Sequence, residues 1–355
     1  MEVALSNELF IVLAGMFCGA LLAWGFIRLP GEDMQFLACL PLAKEGPEHW
    51  RGLNITWYGL LSANAQALAA ALFLLLMTSQ GLPWVGPAGL LAALTLLCLA
   101  GSRWLAQLVE KKAHTFTVGG ASFLGLLMAP GLFWLINMVL VARSEQGAPI
   151  ICWCAALTCA YALGEGLGRL ACISFGCCYG KPLADCPPWL RRLFARASFS
   201  FNGDTKKIAY ASGLGGRRVL PVQAITAVIL VTAGLAGTYL FLRGSFAASL
   251  VVGGLITQLW RAASEFLRAD YRGNGRFSVY QYMALAAALW LGGLAWLLPD
   301  VPGDAMPKLT RGLTALWAPG PLVLVQGIWL AAFVFFGRSR VTASRLNFMV
   351  LRHLI

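Results

Sequence analysis

Apolar stretches close to twenty residues long recur from one end of this 355-residue chain to the other. Crossing a hydrocarbon core about 30 Å thick takes about 20 helical residues. In lipid, backbone polar groups must pair internally, so only helices and closed barrels span. The runs here are continuous rather than alternating, which sets a barrel aside. Charged residues are 12% of the chain, about half the share of a soluble protein. The sequence therefore predicts an all-α polytopic membrane protein with eight or nine transmembrane helices. The spans fall at roughly 8–28, 55–78, 87–106, 118–142, 149–170, 219–242, 246–267, 279–298 and 320–337.

No basic residue precedes the first span, and Glu2 and Glu8 flank its start, so it reads as a retained helix, followed by a re-entrant loop near Pro30. The linkers are 29–54, 171–218 and 299–319. The middle one, between the fifth and sixth spans, is long enough for a small head domain. Alternating spans create a short-loop face and a long-loop face. Of 27 basic residues, only Arg143, Arg243, Lys308 and Arg311 fall on the short-loop face; the other 23 lie on or near the opposite one. By the positive-inside rule, the long-loop face is cytoplasmic. An affinity for anionic headgroups explains the same excess, at about 1 kcal/mol per basic residue near the surface.

The chemistry concentrates in GEGLGRLACISFGCCYG, residues 164–180. An ionisable residue at membrane depth is a functional hypothesis by default. Arg169 stands at the end of an apolar run, four residues after Glu165, which is the favourable order for a helical ion pair. Gly164, Gly166 and Gly168 leave room for backbone or ligand to approach. A second segment, LWRAASEFLRADYRG, repeats the pattern with Arg261 and Glu265, then Arg268 and Asp270. Two helices thus bring an Arg with a Glu four residues away to one face. That favours a shared anion pocket over independent structural pairs, since the guanidinium fork suits phosphate.

Other features have blander alternatives. Trp57 and Tyr58 open a span and fit an interfacial aromatic belt as well as a site. Gly119, Gly120, Ser122 and Gly125 form a small-residue stripe of the kind that packs helices. Pro221 and Gln223 open another helix, where the amide could line a cavity or join helices. Cys177, Cys178 and Cys186 lack paired CxxC spacing and a neighbouring histidine, which argues against zinc. Disulfides among Cys172, Cys177, Cys178 and Cys186 become plausible only outside the cytoplasm. The three histidines, His49, His114 and His353, are too few and too peripheral for a histidine-based hydrolase or a di-iron desaturase. No nucleotide or nucleic-acid motif occurs.

These residues resemble the prolipoprotein diacylglyceryl transferase family. GRLACISFGCCYG (168–180) is similar to that family's GRxGNFxNxExxG signature, with Arg169 on the essential arginine and Gly180 on the last glycine. LWRAASEFLRAD matches a later R-x3-E-F-x-R segment through Arg261, Glu265 and Arg268. Trp57-Tyr58-Gly59, Gly120-x-Ser122-Phe123 and Pro221-x-Gln223 match further landmarks in order, from about residue 55 to 285. The departures are Leu124 at the family histidine, Cys172 and Phe175 at its asparagines, Cys177 at its acid and Thr257 at a tyrosine.

The resemblance implies a transferase core at 55–298 with a head domain at about 171–218. Residues 1–54 then add a helix and loop, and residues 299–355 a further helix and a basic tail. It implies catalytic roles for Arg169, Arg261 and Glu265, and substrate-binding roles for Tyr58, Ser122, Glu165, Gly180, Gln223 and Arg268. No metal or nucleotide cofactor is implied. The implied reaction moves a diacylglyceryl group from phosphatidylglycerol to a lipobox cysteine of a prolipoprotein, at the outer leaflet of a bacterial inner membrane. That location opposes the charge count. Two alternatives stay open: a paralogous lipid-moiety transferase with another acceptor, and a non-catalytic protein that binds or transports anionic lipid.

Overall fold

Residues 6–110, 118–142, 147–270, 277–299 and 306–355 are described in a computed structural model. Glu2, His114 and Arg143, which figure in the sequence reading, lie outside them. Among the described residues, eight helices are long and apolar enough to cross a membrane. They are α1 (Asn7–Arg28), α2 (Trp57–Ser79), α4 (Val118–Ala142), α5 (Ile150–Phe175), α8 (Val222–Leu242), the run Phe246–Leu267, α11 (Val279–Leu297) and α13 (Pro319–Phe336). The ninth expected span falls in α3 (Val85–Glu110), whose apolar stretch Val85–Gly101 is shorter. The protein is an all-α polytopic membrane protein.

α5 is the axis of the bundle. Its most apolar window is 72% buried, against 11% for α13, which marks α5 as the central helix and α13 as peripheral. α2 and α8 flank it, and small residues set how close they come. A Cβ added at Gly166 would lie 2.9 Å from Val231 N, and one at Gly164 would lie 2.7 Å from Ala69 Cβ. These two glycines therefore admit neighbouring helices rather than opening space for a ligand, which corrects the expectation from sequence. Gly168 has only ordinary contact there.

The run Phe246–Leu267 is not one regular helix. α9 (Phe246–Leu250) passes through a π turn at Val251–Leu255 into α10 (Ile256–Ser264), and a 3₁₀ turn follows at Glu265–Leu267. Such π turns recur at functional sites because the extra residue re-aims the side chains that follow.

The linker after α1 is not a re-entrant loop. A 3₁₀ turn (Glu32–Met34) leads into β1 (Phe36–Lys44), which pairs antiparallel with β2 (Trp50–Thr56). β5 (Ser344–Leu346), from the C-terminal segment, adds to the other edge of β2. Thr56 caps α2 by accepting from Gly59 N, and donates its hydroxyl to Gly337 O at the end of α13 (3.1 Å). The head begins at Gly176. It carries α6 (Pro188–Leu193), β3 (Phe199–Ser200) paired with β4 (Arg218–Val219), and α7 (Lys207–Ser212). α12 (Leu309–Leu316) precedes α13 on the opposite face.

The head is tied to the ends of the spans. Lys206 is fully buried, and its Nζ donates to Leu29 O (3.1 Å) after α1 and to Ser174 O (2.7 Å) in the last turn of α5. Desolvation pushes this amine down to about 8, which leaves it an ammonium at neutral pH on the negative ends of two helix dipoles. Beside it, Gln35 Nε2 donates to the Thr205 backbone carbonyl and the Thr205 hydroxyl donates to Gln35 Oε1.

Candidate active site

Residues spaced by four share a helix face, and α5 presents Tyr161, Glu165 and Arg169 in that register near its head-side end. Glu165 accepts from the Tyr161 hydroxyl and from Arg169 Nη2 in close contacts. Arg261 arrives from α10. Its Nη1 donates to Glu165 Oε2 (3.1 Å), the Tyr161 hydroxyl (2.7 Å) and Ser122 Oγ (3.0 Å) near the start of α4. Two helices thus meet on one carboxylate, and a third, α4, holds Arg261 through Ser122. All three charged side chains are largely buried, with 7% of Glu165, 14% of Arg169 and 16% of Arg261 exposed. Two arginines on one glutamate leave one net positive charge, the complement of a phosphodiester.

The pairing differs from the sequence expectation. The i,i+4 rule joins Arg261 to Glu265, where the chain tightens into a 3₁₀ turn; Glu265 stays within electrostatic range of Arg261. Arg261 instead bridges to Glu165, while Glu265 takes Arg268 Nη1 (3.1 Å) and lies 3.5 Å from Ser278 Oγ. Ser278 in turn forms a capping box with Gln281 at the start of α11. Arg268 is also held bidentate by Asp270, at 2.8 and 2.7 Å.

The other expected residues frame this centre. Gly180 forms a β-bridge with Arg268, and a Cβ added there would lie 2.4 Å from Leu220 O, so only glycine lets the chain pass this close to the segment that enters α8. Gln223 donates to Cys177 O (2.8 Å), leaving its buried Oε1 without a partner. Tyr58 stands apart from the Glu165 cluster. Its ring meets Phe175 (5.7 Å) and Phe336 (6.4 Å) edge-on, within electrostatic range of Cys172, Cys177 and Cys178.

Arg169 Nε is buried and has no acceptor. Gln258 Nε2, on α10 one turn before Arg261, is in the same condition. With Gln223 Oε1 of α8, three of the four such atoms among the described residues belong to α5, α8 and α10; the fourth, Gln80 Nε2, lies at the end of α2. Buried polar groups are almost always paired, so such a set marks where a polar ligand would bind.

Tyr161 was not singled out from sequence, although its place four residues before Glu165 is the signal that finds it. Leu124, where the family histidine would fall, packs toward Gly101 of α3. Thr257, at the family tyrosine, turns its hydroxyl onto Gly253 O (2.6 Å). Tyr161 is the phenol that reaches Arg261.

All ten cysteines are free thiols. Cys186 is buried within the head and donates to Pro182 O (3.3 Å). Cys172, Cys177 and Cys178, by contrast, converge, with their Sγ atoms all within 4.8 Å of one another. Hydrogen bonds from Cys172 and Cys177, with Arg268 and Arg169 beyond, pull the Cys178 thiol well below the ordinary range.

Against known proteins, the family model described as prolipoprotein diacylglyceryl transferase matches residues 48–298, more than two thirds of the chain. No curated protein matches it.

Proposed function

The chain belongs to the prolipoprotein diacylglyceryl transferase family, and from that premise we propose that it moves the diacylglyceryl group of phosphatidylglycerol to the thiol of a prolipoprotein lipobox cysteine, releasing glycerol phosphate. The observation that carries this reading is Arg169 Nε, a buried donor without an acceptor beside an ion cluster with one net positive charge. A phosphodiester supplies both the missing acceptor and the balancing charge. Arg169 and Arg261 then hold the donor phosphate and stabilise the charge that grows on the leaving oxygen. Ser122 and Tyr161 fix Arg261, and Glu165 keeps the two cations from repelling each other.

The acceptor sulfur must react as thiolate. Glu265 is the carboxylate we assign to receive its proton, with Arg268 and Ser278 holding it in place. An apolar groove of about 350 Å³ between α4 and α11, lined by Phe123, Leu127 and Trp290, suits an acyl chain. We place the protein in a bacterial inner membrane, with residues 55–298 as the catalytic core and the head outside. Residues 1–54 and 299–355 are additions to that core.

Leu124 in the family histidine's place favours one other reading, a transferase whose acceptor is not a lipobox cysteine. Complementation of a strain depleted of its own lipoprotein diacylglyceryl transferase tests the assignment. The wild type rescues growth and lipoprotein mass; Arg169→Ala and Arg261→Ala, at equal expression, do not. Failure of well-expressed wild type overturns the prolipoprotein acceptor, and rescue by Arg169→Ala overturns the site.

A further inference from the structure

The end of α5 gathers three thiols by a specific backbone device. Gly176 adopts the left-handed conformation (φ +70°). Cys177 N then returns to Cys172 O (3.0 Å) and Gly176 N to Ile173 O (3.1 Å). This closure folds the chain back so that the second residue past the helix lies over its last turn. Usually an apolar pair fills that contact; here it is Cys177 over Cys172. Cys178 follows with φ +57°, the only non-glycine residue with positive φ among those described. A strained side chain held in such a place points to function rather than packing.

We propose that Cys172, Cys177 and Cys178 form a three-thiolate site for a thiophilic divalent cation of the zinc class, whose fourth position takes the acceptor thiol. The acceptor half of the proposal rests on the transferase reading; the cation half does not. Sulfurs bound to one zinc at about 2.3 Å lie about 3.8 Å apart in a tetrahedron. The observed spread of up to 4.8 Å has to close by about 1 Å to reach that. Among the described residues no histidine or carboxylate completes the set. Structural zinc sites supply four protein ligands, whereas catalytic ones supply three and leave a place for the reactant. The sequence argues against zinc on the spacing of Cys177, Cys178 and Cys186 and on the lack of a neighbouring histidine. The backbone return substitutes Cys172.

The placement serves the reaction. Cys172 is one helical turn beyond Arg169, and Cys172 and Cys178 are within electrostatic range of its guanidinium. A thiol bound to such a cation is deprotonated outright, so the carboxylate nearby need only receive the proton. The acceptor thiol gives its proton to Glu265. Its sulfur pair then attacks the glyceryl carbon that carries the phosphate, so that the C–S bond forms as the C–O bond breaks. The electron pair of that C–O bond leaves on glycerol phosphate, facing Arg169.

The test uses full-length protein purified in detergent with reductant and loaded with Co2+ or Zn2+. One equivalent of metal is retained after dialysis, and cobalt gives a sulfur-to-metal charge-transfer band. Cys177→Ser and Cys178→Ser each weaken binding by at least about tenfold, while Cys186→Ser leaves it unchanged. A lipobox-cysteine peptide shifts the cobalt ligand-field bands, and its serine analogue does not. Lack of stoichiometric metal in folded, reduced wild type overturns the site, as does full binding by the Cys172/Cys177/Cys178→Ser triple variant. No shift with the cysteine peptide overturns the acceptor's role. Arg169→Ala still binds cobalt, so this outcome is separable from failed complementation.

Discussion

Glu165 supports more of the site than any other side chain, because two guanidinium groups and a phenol converge on it. Removing one partner of a buried ion pair costs about 3–5 kcal/mol. Glu165→Gln is therefore expected to unfold markedly earlier in a detergent thermal melt than Glu45→Gln, whose pair with Arg51 is exposed. Equal melting of the two would show that the cluster is not structural. Lys206 gives a pH signature. Its folded pKa of about 8 lies below the ordinary 10.5. Between those values the unfolded chain binds more protons, so stability rises with pH across that window. Wild type minus Lys206→Met should show that rise; a flat difference contradicts it. Arg169 and Glu165 were legible from sequence because both stand on one regular helix. Arg261's bond to Glu165 was not, because a spacing rule reads one helix and this contact joins two. Cys172 was legible only as one of four neighbouring cysteines; which three converge depends on the helix end folding back.

Elements meet most closely where glycine faces glycine. A Cβ on Gly59, at the start of α2, would lie 2.1 Å from Gly337 Cα at the end of α13. Backbone cannot yield as a flexible side chain can. Gly59→Ala should therefore lower stability by about 1–3 kcal/mol and loosen the β2–β5 pairing, read as faster amide exchange at 50–56. Unchanged exchange would mean that α13 is not seated there. The spans were legible because lipid imposes one length and one composition on them. The β1–β2 hairpin was not. Its first strand, FLACLPLAK, is apolar, contains a proline and lacks alternation, so it reads as loop. Only the second strand alternates in burial, and strand pairing depends on partners far away in the chain.

At the scale of the molecule, charge and family assign opposite sides to the head, and the difference is measurable. Asp204 is exposed on the head. An Asp204→Cys variant should react with a membrane-impermeant maleimide in intact cells, above the background of the parent. Labelling only after permeabilisation would put the basic face inside and reverse the proposed topology. Charge could not decide this from sequence, since a surface that recruits anionic lipid and one retained in the cytoplasm carry the same excess. The strand order has a consequence for biogenesis. β2 waits nearly 300 residues of synthesis for β5, so one edge of the first sheet stays open while every intervening span is inserted. An unpaired edge recruits whatever extended chain is near, and a ribosome stalled late on this message would leave the hairpin unfinished beside a bundle already in the membrane.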